Sequence, residues 1–159
     1  MKDESSGPDR LTGLYNRRYV MQELERHIDI YKRYGHPFAL LTVGFDNLKW
    51  INDTFGDAGG DSVLQHLVTV MKTNVRDVDV ACRYGADEFV VIMPETDKQA
   101  VQVVGRRIVH SMSSTRFKIG ESFATVEVSF GTASCPEDGT KAGTLLRAAA
   151  RQAGAGDQK

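Results

Sequence analysis

The chain has 159 residues, 41% of them hydrophobic and 26% charged, with a formal net charge of −1 at pH 7. This length suits one domain that hides about 70% of its unfolded surface. The near-neutral balance excludes bulk attraction to nucleic acid or acidic membranes, so any anion must be bound locally. Two cysteines, Cys82 and Cys135, read as reduced thiols rather than a disulfide framework. No apolar stretch approaches the roughly 20 residues of a membrane span. Residues 1–8 are polar, lack a signal-peptide core and read as a linker, and the expected location is cytoplasmic.

Val20, Met21, Leu24, His27, Ile28 and Tyr31 recur at helical spacing through residues 18–34, before Pro37 breaks the pattern. The apolar run 38–45, bounded by turn residues, predicts a buried strand. Residues 47–55 predict a short helix ending at Gly56, with Trp50 packed between it and the core. Asp61 is then placed to cap a helix whose apolar face is Val63, Leu64, Leu67, Val68 and Met71. Segments 78–83 and 88–93 predict a hairpin closed by Gly85-Ala86-Asp87. Thr96 and Asp97 open a helix predicted to reach Ser113. Residues 117–119 are expected to pair across Gly120 with one alternating strand, 123–133, and a last short helix covers 144–152. Helices and strands interleaved in this way predict an α/β (α+β) fold, a central, mainly antiparallel sheet covered by helices.

Three segments carry a common signature. Asp9-Arg10-Leu11-Thr12-Gly13-Leu14-Tyr15-Asn16-Arg17-Arg18 opens the domain. Lys49-Trp50-Ile51-Asn52-Asp53-Thr54-Phe55-Gly56-Asp57-Ala58-Gly59-Gly60-Asp61 follows the predicted strand 38–45. Arg83-Tyr84-Gly85-Ala86-Asp87-Glu88-Phe89 forms the hairpin turn. In their order and spacing these segments resemble the GGDEF family of bacterial diguanylate cyclases, with Ala86 in place of the second glycine of the signature. The resemblance implies a GGDEF, nucleotidyl-cyclase-like domain over 9–153 and a flexible tail over 154–159.

Family chemistry joins two GTP molecules into cyclic di-GMP by phosphoryl transfer, with Mg²⁺ held by carboxylates. The resemblance makes Asp87 and Glu88 the retained acidic residues of the signature. It puts one metal carboxylate at Asp87 and the other at position 44, which here is glycine. Asp46 is the candidate substitute ligand, though it is also placed to cap the following helix. An alanine at position 86 is expected to cost about 1–2 kcal/mol if the turn demands a left-handed residue. Asn52 and Asp61 match the guanine-reading pair, an amide and a carboxylate that can face the base edge. The last helix, Leu145-Leu146-Arg147-Ala148-Ala149-Ala150-Arg151, lacks the phosphate-binding lysine of the family, which Arg151 replaces in another register. These departures predict vestigial catalytic residues, and Mg²⁺ as a cofactor only if activity survives.

Arg76-Asp77-Val78-Asp79 stands intact, with Asp79 six residues ahead of Gly85. The resemblance makes this Arg-x-x-Asp the inhibitory-type cyclic di-GMP site, completed by Arg106 or Arg107 from a neighbouring helix. Arginine can fork onto phosphate or guanine while aspartate accepts from the base. The expected function is therefore a degenerate receptor or regulatory module in cyclic di-GMP signalling. Cyclic di-GMP is its ligand and GTP a second candidate. An attached sensor, receiver or output domain is expected, a homodimer is open, and neither nucleic acid nor direct membrane insertion is expected. The alternatives are an active cyclase using Asp46, Asp87 and Glu88, and a ligand-free dimerisation or interaction module.

Overall fold

The computed structural model describes residues 7–156, with side chains through Ala150. Strands β1 (Tyr15–Asn16), β2 (Phe38–Phe45), β3 (Val80–Gly85), β4 (Glu88–Pro94) and β7 (Val128–Cys135) form one five-stranded sheet in the order β1-β3-β4-β2-β7. All its pairings are antiparallel except the two-residue β1–β3 contact. Strands β5 (Phe117–Ile119) and β6 (Ser122–Ala124) make a separate hairpin. Helices α1 (Arg17–Tyr34) and α4 (Ala142–Gly156) cover one face of the sheet, α2 (Leu48–Asn74) and α3 (Lys98–Ser114) the other. This is the expected fold class. No described helix is long and apolar enough to cross a membrane.

Strand β2 sits between β4 and β7 and is buried on both faces, which is why its sequence reads as an unbroken apolar run. Its alternate residues divide the core. Phe38 and Leu40 pack with Val20, Leu24 and Ile28 of α1 and Leu145 of α4. Ala39, Leu41 and Val43 pack with Ile51, Leu67 and Met71 of α2 and Ile108 of α3. Asn16 caps α1 through the Tyr19 amide, and Asp97 caps α3 through the Ala100 amide.

Several expectations are corrected. The helices either side of Gly56 are joined as α2, kinked where Gly56 takes φ 82°. The second half begins before Asp61, so Asp61 lies within the helix and does not cap it. The N-cap of α2 is Asn47, not Asp46. Asn47 instead binds outward: its amide donates to the Thr125 carbonyl at 2.7 Å and accepts from the Glu127 amide at 3.0 Å. Those bonds occupy the backbone at 125 and 127, and the expected single strand 123–133 is broken there into β6 and β7. Trp50 is 49% exposed and packs edge-on to Phe55, outside the core. Helix α4 extends beyond the expected 144–152 at both ends.

Candidate functional site

The end of the sheet where β2 finishes and β4 and β7 begin gathers the signature residues. Gly44 pairs with Glu88 on one side and Ser129 on the other. The Phe45 amide donates to the Asp87 carbonyl at 3.0 Å, which closes the hairpin turn onto β2. A Cβ on Gly44 would meet only that carbonyl oxygen, at 3.6 Å. A side chain at position 44 would therefore stand beside the acidic turn, but glycine supplies none. Asp46, two residues on, is on the β7 side: its amide donates to the Glu127 carbonyl, and its Oδ1 accepts from the Ser129 hydroxyl at 2.9 Å.

Among the described residues no group of three or more His, Cys, Asp or Glu side chains is arranged to hold a metal ion. A hard cation such as Mg²⁺ needs several oxygen donors near octahedral geometry. Asp87 and Glu88 alone, with Gly44 opposite, do not fit that requirement.

The turn itself is unstrained. Gly85 pairs with Glu88, so Ala86 and Asp87 form a two-residue connection, with a bulge at Tyr84. Among the described residues the one non-glycine with positive φ is Glu95, so Ala86 is not left-handed and the cost of a left-handed alanine does not arise. Arg83 holds the turn: its Nη2 donates to the Ala86 carbonyl at 2.7 Å, while Nη1 lies 3.5 Å from the Asp9 carboxylate. Burial opposes ionisation of Asp9, but bonds from the Thr12 hydroxyl and amide and the Arg83 charge outweigh it and lower its pKa. The opening segment and the signature are thereby joined. Arg17, over the Tyr84 ring at 4.3 Å, adds a second tie.

Asn52 and Asp61 are brought close by the kink at Gly56. The Asn52 side chain lies over Gly60, the residue before Asp61. Asn52 is half-buried and Asp61 exposed. Neither side chain has a hydrogen-bond partner among the described residues.

Arg76 and Asp79 are also together, but on each other. Asp79 accepts from the Arg76 amide at 2.7 Å, from Nη2 at 2.8 Å and from Nε at 3.3 Å. The same Nη2 reaches the Pro94 carbonyl and the Thr96 hydroxyl. The Asp79 side chain is 0% exposed and that of Arg76 50%. Beside them lies a cleft of about 370 Å³ lined by Tyr15, Lys72, Arg76, Asp77 and Asp79. Arg106 instead lines a separate cleft along α3 with Lys98 and Gln102, and Arg107 lines neither cleft. Lys72 and Tyr15 are the residues sequence reasoning missed. Lys72, four residues before Arg76 at the end of α2, was the available signal. The side chain of Arg151, the expected replacement cation, lies outside the described residues.

Residues 6–155 match the model of the family described as Diguanylate cyclase, GGDEF domain, and the chain belongs to that family. It is 37% identical over 143 residues to Response regulator PleD of Caulobacter vibrioides, covering 89% of this chain and 32% of that protein. It is 35% identical over 129 residues to Diguanylate cyclase DosC of Escherichia coli, covering 80% and 28%. The chain thus spans about a third of the length of these curated relatives. The solved GGDEF domain of DgcB from Caulobacter crescentus, in complex with c-di-GMP, superposes with TM-score 0.89 at 26% identity, covering 99% of this chain and 92% of that one. The GGDEF domain of PA1120 (TpbB or YfiN) from Pseudomonas aeruginosa gives 0.88 at 27%, covering 95% and 88%. These matches place the chain in cyclic di-GMP signalling.

Proposed function

We propose that this GGDEF domain has lost cyclase turnover and acts as a guanine-nucleotide receptor, binding cyclic di-GMP beside Arg76 and Asp79. The observation that carries the loss of turnover is Gly44, which faces Glu88 and the Asp87 carbonyl and offers no donor where a metal carboxylate is needed. Phosphoryl transfer without a positioned cation forfeits charge neutralisation in the transition state; removing one such contact commonly costs about 10²–10³ in rate.

The receptor reading is supported by the cleft that Arg76 shares with Lys72 and Tyr15, two cationic side chains and an aromatic ring that also stacks on Tyr19. Cation and ring suit a phosphate and a stacked base. Asp79 holds the Arg76 guanidinium in place, and among the described residues Nη1 makes no bond, so that edge is offered to the ligand. For Asp79 itself to read guanine, Arg76 must first give way. Isothermal titration with cyclic di-GMP tests the reading. Binding in the micromolar range that weakens in Arg76→Ala and Lys72→Ala supports it. Absence of binding, or identical binding in Arg76→Ala, overturns it.

The active-cyclase reading draws on the exposed Asp87 at the turn and on the unspent Asn52 and Asp61. Formation of cyclic di-GMP from GTP with Mg²⁺ or Mn²⁺ at sustained turnover would establish it instead. A ligand-free module instead predicts no melting shift with either nucleotide.

A further inference from the structure

We propose that Gly60 is a specificity-determining positioning residue: by carrying no side chain it seats the Asn52 amide for guanine. The inference rests on the reading of Asn52 and Asp61 as a guanine-facing pair, and names what holds that pair in place.

The two halves of α2 meet across Gly56, whose φ of 82° turns the first half back onto the second. Gly59 and Gly60 form the contact surface. A Cβ on Gly59 would stand 2.7 Å from the Phe55 Cβ. On Gly60 it would overlap Asn52 Oδ1 and stand 2.8 Å from its Cγ, closer than a Cβ tolerates. Asn52 therefore occupies the volume a side chain at position 60 would fill. Its oxygen and nitrogen are held over the backbone that leads directly into Asp61, without being spent on a protein hydrogen bond. The carboxylate can accept from guanine's adjacent N1–H and N2–H₂ while the amide meets N3 or the amino group; adenine has no such pair of adjacent donors. Gly60 lies in ordinary helical backbone, not in the left-handed region, so conformational freedom does not explain it. The close approach does.

A methyl at position 60 evicts the Asn52 amide while Asp61 stays. The helix itself tolerates the methyl, since alanine is the better helix former. The effect on stability therefore depends on what stands at position 52. In the wild-type background Gly60→Ala is destabilising through the clash. In Asn52→Ala the clash is gone and Gly60→Ala turns neutral or stabilising.

The test is a cycle of wild type, Gly60→Ala, Asn52→Ala and the double variant. Each is measured for urea midpoint and for binding of GTP and of ATP. The expected result is a wild-type preference for GTP that falls about tenfold or more in Gly60→Ala, no further in the double variant, with the midpoint shift reversing sign between backgrounds. A GTP-selective wild type whose selectivity survives Gly60→Ala overturns the role of Gly60 alone. A midpoint shift equal in both backgrounds overturns the seating contact. A wild type that does not distinguish GTP from ATP overturns the guanine reading and with it the specificity role, whatever the midpoints show.

Discussion

Arg83 donates from Nη2 to the carbonyl of Ala86 at 2.7 Å, so the strand leading into the signature turn fastens that turn with its own side chain. The same guanidinium faces Asp9 at 3.5 Å. Arg83→Ala should cost about 1 kcal/mol, below the range for buried charged hydrogen bonds, because Ala86 is exposed and water takes over its carbonyl. Urea denaturation measures the loss. Asp9→Asn should lose less, since the Ala86 bond remains.

Ala86 is often the first residue one would revert, yet its backbone is not left-handed. Ala86→Gly relieves no strain and adds freedom to the unfolded chain. The expected change is a loss of about 0.4–1 kcal/mol. Restored cyclase activity in Ala86→Gly alone would show that the methyl, rather than Gly44, is the decisive obstruction.

Strand β2 was legible to the residue because both its faces are buried and no alternation blurs its ends. Helix α3 was legible through Asp97 and its apolar period. What escaped depends on contacts distant in sequence. Asn47 breaks the strand at 125–127 from 78 residues away. The pairing of Tyr15 and Asn16 with Cys82 and Arg83 spans two residues and leaves no local pattern. Trp50 was expected between its helix and the core, but the helix turns that position outward. At the site, the motif positions of Asn52, Asp61, Arg76 and Asp79 were readable, while their state was not. Only the folded chain brings Asn52 onto Gly60, spends Asp79 on Arg76 and opens the Lys72 cleft.

Arg76 and Asp79 also link the end of α2 to the connection before α3, through Pro94 and Thr96. Breaking a buried pair costs about 3–5 kcal/mol when both charges are enclosed. Here Asp79 is enclosed and Arg76 half exposed, so Arg76→Ala should cost about 2 kcal/mol, and Asp79→Ala a similar amount. Thermal melts of both single variants and the double variant give the coupling; a double variant no worse than either single one is the expected pattern. Ligand titrations of these variants need to be run well below their melting temperatures.

Cys82 is fully buried between α1 and the sheet, and burial pushes its thiol up to about 12 from 9.0. Cys135 is shifted in the same direction, again chiefly by burial. A folded pKa above the unfolded one stabilises the fold fully below the unfolded value. That contribution is lost as pH rises from about 9 toward 12. Stability should decline over that window, and less steeply in Cys82→Ala once its cavity cost is subtracted. Neither thiol should react with a disulfide reagent at pH 8 until urea unfolds the chain. Rapid labelling of the folded protein would contradict the burial.

Gly44→Asp returns a carboxylate to the row where Gly44 faces Glu88. The new Cβ has room, since its nearest neighbour is the Asp87 carbonyl at 3.6 Å. Without a cation the new charge stands directly opposite Glu88 and beside Asp87, and like charges across a strand pair should lower stability by roughly 0.5–1 kcal/mol. Mg²⁺ or Mn²⁺ should reverse that loss, because the three carboxylates together supply the oxygen donors the wild type lacks. The melting temperature of Gly44→Asp should thus rise with added cation while that of the wild type stays put. GTP binding should become cation-dependent. Turnover should recover far less, because the lysine missing from α4 leaves the α-phosphate poorly placed, and an error of about 1 Å can cost about 10²-fold. Full turnover from this one substitution would mean that the turn and the last helix are sound and Gly44 was the whole defect. No cation-dependent shift would mean that position 44 is not where the metal carboxylate belongs.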